Sequence, residues 1–340
     1  MIRDISSVSH EPEPASADGH GRRINYLRLS ITDTCNFRCV YCMPEDTPFK
    51  PVSELMADDE IVRLAACFAR LGFEKFRLTG GEPTLRPGVA GIVRQLRALP
   101  GVREVTMTTN GTRLADLARP LADAGLRRIN VRLDSLDPAR FRELSRRDEL
   151  SKVWKGILAA EAAGLAIKLN VVLVRGINDE TDAVELARLT LDKPWQVRFI
   201  ELMPLGGMSV FQKSKVVREA ELRTRLESAL GPLTSVGAGV LDGEARIFRA
   251  AQAPGTIGFI SSVSRSFCCA CRRARLTADG HLRLCLLHET EVDLLTALRS
   301  GATDAAIERL IQQGLHRKPL HHALAQDNAP ADRLMSQIGG

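Results

Sequence analysis

The sequence predicts an α/β protein, an incomplete (βα)6 triosephosphate-isomerase-like barrel followed by a C-terminal region of mixed pattern. Three observations lead there. Six short segments of strand character, at 26–32, 75–79, 102–108, 129–133, 166–173 and 196–201, alternate with helical patterns, which implies parallel strands joined by right-handed crossovers. No G-x-G-x-x-G follows the first strand, as a doubly wound nucleotide-binding sheet would have it; a loop of cysteines follows instead. Finally, the unusual polar residues fall directly after the strands, at the face where such a barrel carries its chemistry.

Taken in order, residues 1–21 are rich in Ser, Pro, Glu, Gly and His with almost no large apolar side chains, so they read as a disordered segment. The barrel is expected over 22–204. Its clearest helix runs from Asp58 to Leu71, with Ile61, Leu64, Ala65, Phe68 and Leu71 at helical spacing and three acidic residues in the first turn. Further helices fit 88–98, 114–124, 151–163 and 180–190. The loops after the strands hold the cysteines, then Gly80-Gly81-Glu82-Pro83, Thr108-Thr109-Asn110-Gly111, Asp134-Ser135 and Met203-Pro204. Gly-Gly-Pro and Asn-Gly are also ordinary turn formers. Beyond about residue 205 the alternation stops, and 205–340 reads as a second unit with its own cysteines.

Composition narrows the function. With 44% apolar residues among 340, the chain can build a packed core. A net charge of +6 favours an anionic ligand, and 4% aromatics leaves too few stacking platforms for a nucleic-acid strand, so a nucleotide fits better than a polymer. No run of about 18 apolar residues and no signal segment is evident, so the expected location is the cytoplasm, without membrane contact. There, eight grouped cysteines argue for metal or redox chemistry over disulfides.

Cys35, Cys39 and Cys42 form a C-x3-C-x2-C group with no His or Cys between Cys42 and Cys67 to complete a tetrahedral zinc site. Three thiolates on a four-iron cluster would leave one iron open for an outside ligand, with zinc as the competing reading. Cys268, Cys271 and Cys285 form a second group of three, for which a zinc ribbon completed by Cys269, His281 or His288 is equally compatible with the spacing. Cys67 sits on the apolar face of the first helix and reads as core.

The ordered set C-N-F-R-C-V-Y-C-M-P, R-L-T-G-G-E-P-T-L-R, T-T-N-G, R-F-I-E-L-M, F-C-x-x-C-x-R-x-R-L and a terminal I-G-G resembles the radical S-adenosylmethionine superfamily, and within it the family that cyclises GTP at the start of molybdenum cofactor synthesis. The resemblance covers about 22–340. It implies two 4Fe-4S clusters, one on Cys35, Cys39 and Cys42 that cleaves S-adenosylmethionine reductively, and one on Cys268, Cys271 and Cys285 that makes the C-terminal region cluster-binding and meets guanine. By the same resemblance Tyr41, Gly80, Gly81, Glu82 and Met203 hold S-adenosylmethionine, with Glu82 taking its ammonium. Arg28, Arg77, Thr108, Lys168, Arg273 and Arg275 are matched to positions around GTP, with Arg198 a weaker candidate. Arg28, Arg273, Arg275 and the tail Gly339-Gly340 would lie at the reaction itself, since only glycine lets a backbone pass so close to a substrate. Implied partners are GTP, an electron donor that the sequence does not identify, a downstream cyclic pyranopterin monophosphate synthase that takes the product, and a second copy in a homodimer.

Two residues depart from the family pattern: Arg272 stands where Asn is usual, and Arg132 stands where a Ser contacts S-adenosylmethionine. Arg132 is therefore not assigned a site role from sequence, and Ser135 could replace the Ser only with a shifted backbone. The rival readings are another two-cluster radical enzyme, such as a peptide-modifying one, and a zinc or electron-transfer scaffold without turnover.

Overall fold

The structure is a computed structural model, and it describes residues 15–203, 205, 213–237, 244–322 and 333–339. Six parallel strands, β1 (Tyr26–Ser30), β2 (Lys75–Thr79), β3 (Glu104–Thr109), β4 (Arg128–Arg132), β5 (Ala166–Leu173) and β6 (Gln196–Glu201), pair in sequence order. A doubly wound sheet would reverse direction at a switch point, and this one does not. The sheet is open, its two end strands being different segments, so the architecture is the incomplete barrel that the alternation predicts.

The helices between these strands are α1 (Asp58–Arg70), α2 (Val89–Ala98), α3 (Leu114–Asp123), α4 (Pro138–Ser145), α5 (Leu150–Ala162) and α6 (Thr181–Asp192). Helix α1 buries Ile61, Leu64, Ala65 and Phe68 along one face, and its Glu60 carboxylate accepts from the Ala57 N–H at 2.7 Å to satisfy the open N-terminus. Helix α4 is absent from the sequence reading. Its eight residues bury only Phe141, Leu144 and Ser145, too few to display a period, although Asp137 caps Arg140 N at 2.8 Å and Pro138 occupies the first turn.

The C-terminal region joins the same sheet. Its strands β7 (Leu233–Ser235), β8 (Arg246–Ala250), β9 (Thr256–Ile260), β10 (Arg273–Leu276), β11 (His281–Arg283) and β12 (Glu291–Asp293) extend the sheet at both edges. β9 lies parallel to β6, and β10 lies parallel to β1. Hydrophobic pattern marks a strand but not its partner, which is why this pairing is invisible in the sequence. Within the segment read as disordered, Ala17 bridges to Arg23, and buried Asp18 accepts from the Arg22 guanidinium at 2.6 Å.

Along β1 the side chains alternate. Leu27, Leu29 and Ile31 are fully buried in the apolar cluster shared with Ile61, Leu64 and Phe68 of α1, so Arg28 faces the other side of the sheet. No helix among the described residues is long and apolar enough to cross a membrane. Leu169, fully buried in the middle of β5, belongs to this core. Leu169→Ala should lower folding stability by about 2–5 kcal/mol, read from the urea midpoint.

Candidate functional site

The parallel register places basic residues side by side. Arg28 of β1 is opposite Arg275 of β10 on one side and Arg77 of β2 on the other. All three are buried, at 6%, 6% and 5% exposure, so three like charges share one row of the sheet away from water. Like charges directly opposite oppose one another, and burial adds to the cost. The Arg28 guanidinium is accordingly pushed down to about 10, by burial first and by Arg77 and Arg273 as well. Arg275 is held well below its ordinary value by burial, Arg28 and Arg273.

The C-terminal tail enters this row. Arg28 donates from Nε and Nη2 to the Gly339 carbonyl at 3.2 and 2.9 Å, Arg275 Nη1 donates to it at 3.0 Å, and Thr79 Oγ1 at 3.2 Å. Gly339 has φ +79°, and a Cβ there would lie 2.6 Å from Ser30 Oγ, so only glycine fits. Upstream, Arg333 anchors the tail by bridging Asp279 at 3.0 Å and Glu291 at 2.8 Å. Gly340 lies outside the described residues.

An anion also shares the basic region, and sequence reasoning missed it. Glu244 is 6% exposed, 3.1 Å from Arg273 and 4.0 Å from Arg77. Burial works against its charge, but Arg273, Arg77, Arg198 and Arg28 outweigh that and hold the carboxyl well below the usual range. Arg273 is in turn raised, Glu244 and Cys271 overcoming its burial. No motif marks Glu244; the chain brings it there from the start of the edge ribbon.

On the other side of the cavity the loops after β1, β2 and β3 are tied together. Gly80 and Gly81 pass so close to the β1 loop that a Cβ would lie 2.1 Å from the Thr32 carbonyl and 2.3 Å from that of Asp33. Glu82 accepts from Thr84 N, Thr84 Oγ1 and Thr109 Oγ1 on Oε1, at 3.0, 2.5 and 2.6 Å, and from Asn110 N on Oε2 at 2.6 Å. Each carboxylate oxygen has about two acceptor sites, so Oε1 is fully used and Oε2 keeps one for a ligand's donor. Asn110 Nδ2 then donates to Asn36 Oδ1 at 2.7 Å, which fastens the cysteine loop.

Both cysteine groups line one cavity of about 250 Å3, together with Arg28, Arg77, Arg273, Arg275 and the residues Tyr41, Gly80, Gly81, Glu82, Thr108 and Met203 that the sequence singled out. Lys168 lies instead in a smaller adjoining cavity that shares Arg77 and Glu244 with the first. Arg198 lines that smaller cavity too, donating to Asn130 Oδ1 and Asn170 Oδ1, each at 2.7 Å. Thr108 Oγ1 is buried against the large cavity with no hydrogen-bond partner, an acceptor and donor left for a ligand. Ser135 does not line the cavity; it donates to Asp182 at 2.6 Å. Cys67 is buried, as read, and Cys269 is exposed.

Arg132, unassigned from sequence, is on the cavity wall. It pairs with Asp134, which also accepts from Tyr41 OH at 2.6 Å, and it donates to Cys39 Sγ. Lys318, 3% exposed, was also missed; it donates to the Leu284 carbonyl and neighbours Cys271 and Cys285.

The donor set fits iron–sulfur clusters. A cluster takes each thiolate on a different iron, so the cysteines of a group need not converge on a single ion. The two groups differ electrostatically. Burial pushes Cys35 up to about 12 and also raises Cys39 and Cys42. Cys271 is buried too, but Arg273 and Lys318 bring it down to about 7. In the reduced, metal-free chain, alkylation of Cys271 should therefore rise through pH about 7, while Cys35 stays inert until near pH 12. Peptide mass spectrometry over a pH series reads both, and the reverse order would remove this account.

Known proteins align with most of this chain. A family model described as the Radical SAM superfamily matches residues 29–187, and one described as Molybdenum Cofactor Synthesis C matches 195–324. The GTP 3',8-cyclase of Gloeobacter violaceus is 46% identical over 325 residues, covering 93% of this chain and 99% of its own. That of Pelotomaculum thermopropionicum is 43% identical, covering 95% and 99%. Among solved structures, Streptococcus suis SuiB bound to S-adenosylmethionine superposes with TM-score 0.58 at 15% identity, covering 85% of this chain and 68% of that one. Native anSMEcpe with bound AdoMet gives 0.58 at 14% identity, covering 89% and 82%, and both likenesses concern the fold alone. With near-complete coverage at this identity, the chain belongs to the GTP 3',8-cyclase family of the radical SAM superfamily.

Proposed function

We infer that this chain is a GTP 3',8-cyclase that makes 3',8-cyclo-7,8-dihydro-GTP at the first step of molybdenum cofactor synthesis. The observation that carries the substrate is the buried row Arg275, Arg28 and Arg77 with Arg273 beside it, a concentration of guanidinium that a triphosphate neutralises bidentately. Once bound, the first cluster with S-adenosylmethionine supplies a 5'-deoxyadenosyl radical for removal of the 3' hydrogen of GTP.

The chain's own residues then have separable tasks. Cys35, Cys39 and Cys42 would hold the first cluster, and Cys268, Cys271 and Cys285 a second, which would supply an open iron for the guanine. Tyr41, Gly80, Gly81, Glu82 and Met203 hold S-adenosylmethionine, with Glu82 Oε2 receiving its ammonium. Arg28, Arg77, Arg273, Arg275, Thr108 and Lys168 take the nucleotide, and the tail glycines Gly339 and Gly340 shape the wall nearest the reacting ribose. Residues 22–204 thereby supply the radical site and, through Arg28, Arg77, Thr108 and Lys168, part of the nucleotide's seat, which Arg273, Arg275 and the tail complete from 205–340. A separate electron donor, a downstream cyclic pyranopterin monophosphate synthase and a homodimeric state in the cytoplasm complete the reading.

Anaerobic reconstitution should yield about eight irons per chain, as two four-iron clusters require. Formation of 5'-deoxyadenosine and of the cyclised nucleotide from GTP under dithionite tests the activity; iron at half that level or zinc at the second group with no product would sink it. Arg273→Ala and Arg275→Ala should each weaken GTP binding by about tenfold or more with first-cluster iron intact, since each removes a charged hydrogen-bond donor. Unchanged GTP affinity would remove the phosphate assignment. Gly339→Ala should cut turnover without loss of iron, because the Cβ meets Ser30 2.6 Å away and displaces the tail.

A further inference from the structure

We propose that Arg132 raises the reduction potential of the cluster held by Cys35, Cys39 and Cys42, acting as a charged hydrogen-bond donor to the Cys39 thiolate. Arg132 is the last residue of β4, and its Nη1 donates to Cys39 Sγ. Its guanidinium is fixed on three sides. Asp134 Oδ2 accepts from Nε at 2.6 Å and from Nη2 at 2.5 Å, and the group lies over the rings of Tyr41 and Phe37, with its carbon 4.9 and 5.9 Å from their centroids. Cys39 is 3% exposed, so little water competes for its sulfur.

Reduction adds an electron to a cluster whose ligands are already anionic. A positive N–H aimed at a ligand sulfur stabilises that added charge more than it stabilises the oxidised form, and hydrogen bonds to sulfur and low solvent exposure are among the levers that set such potentials. Asp134 offsets much of the long-range charge of Arg132, so the effect is local to the bonded sulfur. An uncharged side chain at this place would supply no such field. Arg132 is thus a positioning and tuning residue that acts through Cys39, and the proposal rests on the reading of this group as a cluster site but not on the identity of the substrate.

The test is EPR-monitored potentiometry of the reconstituted enzyme without S-adenosylmethionine or GTP, following the cluster signal that responds when S-adenosylmethionine is later added. Arg132→Ser should lower the midpoint potential, and Arg132→Lys, which keeps the charge but not the planar fork, should fall between Ser and wild type. Equal potentials in wild type and Arg132→Ser overturn the proposal. So does an unmoved potential joined to weaker S-adenosylmethionine binding, which would make Arg132 a contact of that ligand's carboxylate instead. A wild-type chain that assembles no first cluster overturns the functional reading as well, whereas an unmoved potential on an intact cluster overturns this inference alone.

Discussion

The parallel pairing of β10 with β1 is the constraint on which the site depends. It joins two segments separated by about 250 residues of sequence, Tyr26 opposite Arg273 and Arg28 opposite Arg275. The second cysteine loop leads into β10 and the first follows β1, so the parallel pairing sets the two groups at opposite ends of this strand pair with the arginine row between them. A shift of one residue in that register would turn Arg273 and Arg275 to the other face, because side chains alternate with period two. Leu276 opposite Leu29, both fully buried, holds the register from the apolar side.

That arrangement creates a charge problem that the fold solves locally. Three guanidinium groups in one buried row are tolerable only where acceptors and counter-charges reach them. The Gly339 carbonyl supplies the acceptor, brought in by a tail that Arg333 moors to Asp279 and Glu291. Glu244 supplies the negative charge beside Arg273.

Much of this was legible in the sequence because it is local. Strand and helix alternation, the glycine pair at Gly80 and Gly81, the cysteine groups and the terminal glycine each declare themselves within a few residues. The phase of Arg28 against Leu27 and Leu29 foretold which face it takes. What the sequence did not disclose depends on tertiary partners. Helix α4 is too short to show a period. The two edge pairings, β9 on β6 and β10 on β1, leave no mark in either strand alone. Glu244 and Lys318 are single charged residues without a motif, and their roles come from burial beside opposite charge or thiols. Glu82 was found, but its four backbone and hydroxyl donors show that it also fastens the loops together.

The contrast between the two cysteine groups gives Arg132 its meaning. At the second group Arg273 and Lys318 bring positive charge to Cys271 and overcome the effect of burial. At the first group burial dominates, and among the causes acting on Cys35, Cys39 and Cys42 the cation that opposes it is Arg132. A cation is thus built in beside each set of thiolates, one from β10 and the C-terminal region and one from β4. Thiolates held in a dry pocket need such compensation to carry metal at all, since the ligand form is the charged one. The residue that breaks the family pattern therefore extends to the first group the electrostatic support that the second already has.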